Sequence, residues 1–214
     1  SDVNISYQCV NYRCDIGNTA HPKSGIFYTG GLPMLNAKFP ECLNGLVIAQ
    51  KSGYQKEIKQ VTVGQETDAI QVDIKMSPLK KFNYLIKVIE DHNGLIRERD
   101  LNEDEIVMMT IKEKTKNFEE NIVYPTELDY FSELNLMVGD FKYELDIKLV
   151  SEDEYLGGLL YNWTVNKNSM QNGRYVIFYV IKKDPLLNPQ SPEDYQEVYN
   201  YAIENSDKYP PKVR

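Results

Sequence analysis

The 214-residue chain carries 24 basic and 32 acidic side chains, and its net charge of −8 argues against a nucleic-acid or anionic-membrane partner, both of which favour a basic face. Its length suits two domains of ordinary size, each with its own core. Sixteen tyrosines point to a strand-rich fold, because aromatic side chains pack well on pleated surfaces. No apolar run reaches the roughly 18 to 20 residues that span a bilayer, so this stretch is not expected to cross one. No leader is legible at Ser1, and the chain reads as a processed or excised piece of a larger protein whose anchor lies elsewhere.

In chain order, the first segment reads as short strands separated by turn residues: 5–10, 14–17, 34–39, 46–51 and 59–63. Pro22 and several glycines mark the long loop 19–31, while Pro40 and Asn44-Gly45 punctuate the approach to the fourth strand. Ile70, Val72, Ile74 and Met76 alternate with Gln71, Asp73 and Lys75, which predicts a strand with one wet face. Ser77-Pro78-Leu79-Lys80-Lys81 reads as a boundary. Beyond it Phe82, Tyr84, Ile86 and Val88 alternate up to the hairpin turn Asp91-His92-Asn93-Gly94. Further strands are expected at 95–98, 105–112, 121–124, 134–138, 141–150, 156–165 and 174–181. Ser191-Pro192-Glu193-Asp194 then starts a helix, with an N-cap serine, proline at the first position and acids in the first turn. Tyr195, Val198, Tyr199 and Ala202 give it a narrow apolar stripe, expected to dock on the second domain.

The pattern defines an all-β chain: two tandem antiparallel β-sandwich domains, 1–77 and 78–185, with a short C-terminal α-helix and tail at 186–214. The three cysteines, Cys9, Cys14 and Cys42, cluster near the start and predict one disulfide and one leftover thiol. A bridge between Cys9 and Cys14 would staple a hairpin with a four-residue loop; one between Cys14 and Cys42 would close a longer loop. Chain entropy assigns about 2 and about 3.5 kcal/mol to these. A zinc site among them lacks a fourth ligand at a recognisable spacing, so no metal is expected. Two sequons, at Asn4 and Asn162, suit a glycosylated surface.

The residues Cys14-Asp15-Ile16-Gly17-Asn18-Thr19, then Phe39-Pro40-Glu41-Cys42-Leu43-Asn44-Gly45, then Ala49-Gln50-Lys51-Ser52-Gly53-Tyr54 resemble the carboxypeptidase-regulatory-like and PEGA-type modules. These are transthyretin-like β-sandwiches, and the cysteine-bearing form is that of archaeal surface proteins. The resemblance covers residues 1–77. It implies that the loops holding Cys14 and Cys42 share one end of the sandwich, which favours the Cys14–Cys42 bridge, and it carries over no catalytic residue.

Chemistry is sparse elsewhere. His21 and His92 read as solvated turn residues rather than members of a hydrolytic triad. The acidic runs Glu103-Asp104-Glu105 and Glu152-Asp153-Glu154 lack the ligand alternation of a calcium loop and read as solvated. Gly157-Gly158 reads as close backbone packing or a bulge. Tyr155, Tyr161 and Trp163 are spaced so that all three would project from one face and stack on a sugar ring, although a lone Trp more often serves a core. The sequence therefore predicts a non-catalytic extracellular structural or adhesive module without cofactor. Its expected partners are other domains of the same surface protein or a cell-surface partner, with glycan binding through the aromatic row as the alternative.

Overall fold

The computed structural model describes residues 3–19, 33–64, 70–92, 94–125, 132–152, 154–182 and 191–214. His21, Asn93, Asp153 and most of the glycine-rich loop lie outside these. The fold is all-β with a short C-terminal helix, as the strand alternation predicts. The chain divides into two compact units, Ser1–Leu79 and Lys80–Arg214.

In the first unit β1 (Asn4–Cys9), β2 (Tyr12–Asn18), β3 (Cys42–Gln50) and β4 (Glu57–Val63) form an antiparallel sheet in the order β2-β1-β3-β4. Ile5, Tyr7, Val47 and Ala49 alternate onto one face and are buried there, with Leu35, Phe39, Ile74 and Met76 packed over them. Tyr7 is fully buried, and Phe39 meets its ring edge-on at 5.2 Å. Gly45 is required beneath it, because a Cβ there would overlap the Tyr7 hydroxyl. Two expected strands differ. Residues 34–39 contribute only a bridge at Met34, and 70–76 makes no strand pairing among the described residues. In the latter the alternation survives as burial alone: Val72, Ile74 and Met76 are half-buried while Gln71, Asp73 and Lys75 are exposed. Period-2 patterning reports which side chains turn inward, not whether a neighbouring strand is present to bond.

The second unit contains β5 (Leu79–His92), β6 (Leu95–Arg99), β7 (Glu105–Glu113), β8 (Phe118–Tyr124), β9 (Glu133–Met137), β10 (Phe141–Ser151), β11 (Glu154–Val165) and β12 (Tyr175–Lys182). Their order is β6-β5-β12-β11-β10-β7-β8, with β9 also paired to β5. All described pairings within this order are antiparallel except β5 with β12, which run parallel from Tyr175↔Asn83 to Lys182↔Glu90. The sheet rolls so that β5 and β8, five places apart in that order, come into contact. The ring of Tyr84 on β5 lies 5.7 Å from that of Tyr124 on β8, and the Tyr143 hydroxyl on β10 accepts from the Met137 backbone N–H of β9 at 3.0 Å. Inside the roll Phe118, Tyr143, Trp163 and Phe178 touch in sequence at 5.7 to 5.8 Å, the offset and edge-to-face contacts that ring quadrupoles favour.

A short helix absent from the sequence expectation, α1 (Lys167–Asn172), joins β11 to β12. Asn166 caps its start, and the ammonium of Lys80 on β5 donates to the carbonyls of Met170, Gln171 and Gly173 at its end (3.2, 2.7 and 2.6 Å). A cation at that terminus satisfies carbonyls that have no partner within the helix. The helix α2 (Pro192–Asn205) starts at the expected N-cap Ser191, which also closes a capping box: Asp194 N–H donates to the Ser191 hydroxyl and Ser191 N–H to the Asp194 carboxylate. It packs on β11 and β12, burying Val198 and Ala202.

The tail after α2 has a structural role. Strands β11 and β12 pair only at Gly157↔Lys182 and Gly158↔Ile181, then splay. Into that fork the tail inserts β13 (Lys212–Val213), which pairs with Ile177 and Val176 of β12. On the other side, Ser206 in the 3-10 turn Ser206–Lys208 accepts the Leu160 N–H of β11. Edges that would otherwise present unpaired amides are thus bonded.

Candidate functional site

The cysteine cluster occupies one end of the first unit's sheet. The disulfide joins Cys9 to Cys42, with Cα atoms 5.9 Å apart, and Cys14 is the free, half-buried thiol. The expected Cys14–Cys42 pairing is therefore overturned, as is the four-residue hairpin loop behind the Cys9–Cys14 alternative. Two backbone features explain both. The turn is only Val10-Asn11, so Cys9 lies opposite Tyr12 and Cys14 opposite Tyr7. A bulge then places one extra residue between Cys42 and Gly45, which pair with Val63 and Val61. Since side chains alternate between faces, that residue turns Cys42 onto the face that carries Cys9. Asn44, at φ +59°, takes the left-handed conformation within the bulge, one that asparagine tolerates better than most residues. All three sulfurs pack against the apolar cluster around Tyr7. The Cys14 thiol donates to the Tyr7 carbonyl at 3.7 Å. The Tyr7 hydroxyl is buried with no hydrogen-bond partner among the described residues, and burial, followed by the neighbouring Cys14, raises its pKa.

The aromatic row does not form. A second bulge, between Leu149 and Val150 of β10, places Val150 opposite Tyr155 and Leu149 opposite Gly157. Tyr155 is thereby turned to the outer face. There it lies against Tyr199 of α2 at 6.5 Å, and burial, then the adjacent Tyr199 and Asp146, push its hydroxyl up to about 12. Tyr161 and Trp163 share the inner face, opposite Leu145 and Tyr143, and Trp163 is only 4% exposed. Three residues split between two faces, one of them in the core, offer no flat platform to a sugar. Of the sequon residues, Asn162 is exposed, while Asn4 is half-buried with its amide on the Asn18 side chain at 3.4 Å.

Sequence reasoning missed the most polar buried site. The carboxylate of Glu105, 1% exposed, takes two hydrogen bonds from the Arg99 guanidinium (2.6 and 2.7 Å), one from the Lys182 ammonium (2.8 Å) and one from the Asn102 N–H (2.9 Å). Arg99 also donates to Glu90 at 2.6 Å, and His92 Nε2 stands 3.5 Å from the other Glu90 oxygen. Burial alone would raise the Glu105 carboxyl. The donors from Arg99, Asn102 and Lys182 outweigh it and hold the pKa at about 2. Glu90 is likewise lowered against its burial, chiefly by Arg99, whose own pKa is raised by the bond to Glu105. Glu105 is thus no solvated loop acid. Two acids and two bases from β5, β6, β7 and β12 neutralise one another at the seam where the rolled sheet meets, with each carboxylate held by donors. The arrangement latches the seam, and it leaves neither acid in the raised-pKa state that proton donation requires.

On the outer face of β7, β8 and β10 a groove of about 330 Å³ is lined by Met108, Thr110, Val123, Asp146 and Lys148 among others. Among the described residues no three or more His, Cys, Asp or Glu side chains group to hold a metal, and no helix is long and apolar enough to cross a membrane. Comparison with family models, curated proteins and solved structures gives no match.

Proposed function

We propose that this chain is a non-catalytic extracellular structural or adhesive module of a larger cell-surface protein, its first unit a transthyretin-like spacer of the carboxypeptidase-regulatory type. The observation that carries the reading is the Cys9–Cys42 staple between β1 and β3. A small sheet with a modest core gains most from a covalent cross-link, and such links persist in oxidising compartments. Two further features support it. The buried acids Glu90 and Glu105 are committed to Arg99 and Lys182, and the fork between β11 and β12 is closed by the tail.

The test is a thiol count on protein isolated from the cells that make it, denatured in N-ethylmaleimide without reductant. One labelled cysteine and a mass two hydrogens below the fully reduced chain are expected. Three labelled cysteines would sink the extracellular reading.

A further inference from the structure

We infer that Cys14 is the attacking thiol of an internal thiol–disulfide exchange centre, able to move the staple from Cys9–Cys42 to Cys9–Cys14. The inference rests on the juxtaposition of three sulfurs. Cys9 and Tyr7 share one face of β1, and Cys14 lies directly opposite Tyr7 on β2. Cys14 is therefore the diagonal cross-strand neighbour of Cys9, at a Cα separation of roughly 7 to 8 Å. On the other side of Cys9, Cys42 of β3 holds the disulfide at a Cα separation of 5.9 Å. A thiol and a disulfide thus stand side by side, with Cys9 in the centre, bonded to Cys42 and separated from Cys14 by a gap that a backbone shift must close.

The β1–β2 hairpin is the element that such a step would move. Strand β2 is at the edge of the sheet and, among the described residues, pairs with β1 alone, and a bulge interrupts that pairing between Ile5 and Ser6. The turn residue Val10 is 81% exposed and held at φ +53°, a conformation that a β-branched side chain resists. Small shifts of β2 along β1 would bring the two sulfurs together without disturbing β3.

In the step, Cys14 loses its proton to water and its thiolate attacks Cys9 Sγ. The Cys9–Cys14 bond forms as the Cys9–Cys42 bond breaks. Cys42 leaves as a thiolate and takes a proton from solvent. Sulfur oxidation is conserved, so neither oxidant nor reductant is consumed. The Tyr7 hydroxyl, without a hydrogen-bond partner among the described residues, belongs to the same buried cluster as Cys42. The consequence is structural: with the link moved onto the hairpin, the bulged start of β3 is no longer tied to β1.

The sequence makes the test clean, because Arg13, Lys23, Lys38 and Lys51 place the three cysteines in three separate tryptic peptides. The native 214-residue chain is moved from pH 5 to values between 6 and 9, quenched with N-ethylmaleimide, digested without reduction and mapped by mass. The label should appear on Cys42 together with a Cys9–Cys14 linked pair. Its rate of appearance should rise with pH, since the thiolate is the nucleophile. Cys14→Ser should keep Cys9–Cys42 at every pH, and Cys42→Ser should close Cys9–Cys14 under mild oxidation. Label confined to Cys14 in the native chain would overturn the inference. So would Cys14–Cys42 pairs appearing in step with Cys9–Cys14, because that marks scrambling through the unfolded chain. Both outcomes differ from the thiol count above, which asks how many cysteines are bonded and not which.

Discussion

Glu105 shows how a single side chain can be misread from its neighbours in sequence. It closes the acidic run Glu103-Asp104-Glu105, which by composition is a solvated loop, yet it is the first residue of β7 and 1% exposed. Nothing local announces this. Its partners Arg99 and Lys182 lie 6 and 77 positions away, and only the rolled sheet brings them together. A buried charge that loses its counter-charge is worse than no pair at all. Glu105→Gln should leave Arg99 and Lys182 sharing Glu90 alone and cost about 3 to 5 kcal/mol of unfolding free energy, measured by urea denaturation with Trp163 fluorescence as the probe. A loss under about 1 kcal/mol, the range of exposed pairs, would show the latch to be peripheral. Wild-type protein should show the matching acid response. The Glu105 pKa is depressed from 4.5 to about 2 on folding, so its contribution is fully present above pH 4.5 and is lost as pH falls from there towards 2. That contribution is up to about 3 kcal/mol, at 1.36 kcal/mol per unit, and Glu105→Gln should flatten this part of the profile.

At the level of elements, strand alternation and capping chemistry were legible while register was not. The core-facing sets of β5 and β10 and the Ser191 cap of α2 follow from residue spacing and type. The two bulges are only partly legible: Gly157-Gly158 reads as close backbone packing or a bulge and Asn44-Gly45 as a turn, but neither pair says which side chain changes face. One bulge brings Cys42 to Cys9; the other separates Tyr155 from Tyr161 and Trp163. Both site expectations failed at a one-residue shift, the error to which period-2 patterns are most exposed. The closing of the β11–β12 fork was hidden for a different reason, since the groups involved are backbone amides and a serine hydroxyl with no pattern of their own. Ser206 accepts the Leu160 N–H at 3.1 Å and donates to the Ala202 carbonyl at 2.7 Å while 1% exposed. Ser206→Ala removes the acceptor and leaves a part-buried N–H unpaired, which should cost about 1 to 3 kcal/mol. Hydrogen exchange gives the direct readout, with Leu160 expected to lose protection while the inner strand residues of β10 keep theirs. Equal loss across β10 and β11 would mean that the tail supports the whole sheet rather than the fork.

For the whole molecule, the two units carry different stabilising devices, and one covalent and one optical feature separate them. The only disulfide among the described residues is in the first unit, and the chain's single Trp is in the second, packed between Tyr143 and Phe178. Cys9 and Cys42 are 33 positions apart, so the chain-entropy treatment gives the link about 3.7 kcal/mol. Reduction should therefore weaken the first unit by an amount comparable to much of a small domain's net stability, which is only about 5 to 15 kcal/mol. The second unit, with its aromatic interior and latched seam, has no bond for the reductant to break. Thermal unfolding followed by far-UV circular dichroism should then split into two steps in reductant, the lower one moved down by several degrees, while the Trp163 fluorescence midpoint stays where it was. A fluorescence midpoint that falls in parallel would show that the units unfold as one body. A dichroism curve that ignores the reductant would show that the four-stranded sheet stands without its staple, and would remove the physical reason for keeping a disulfide there.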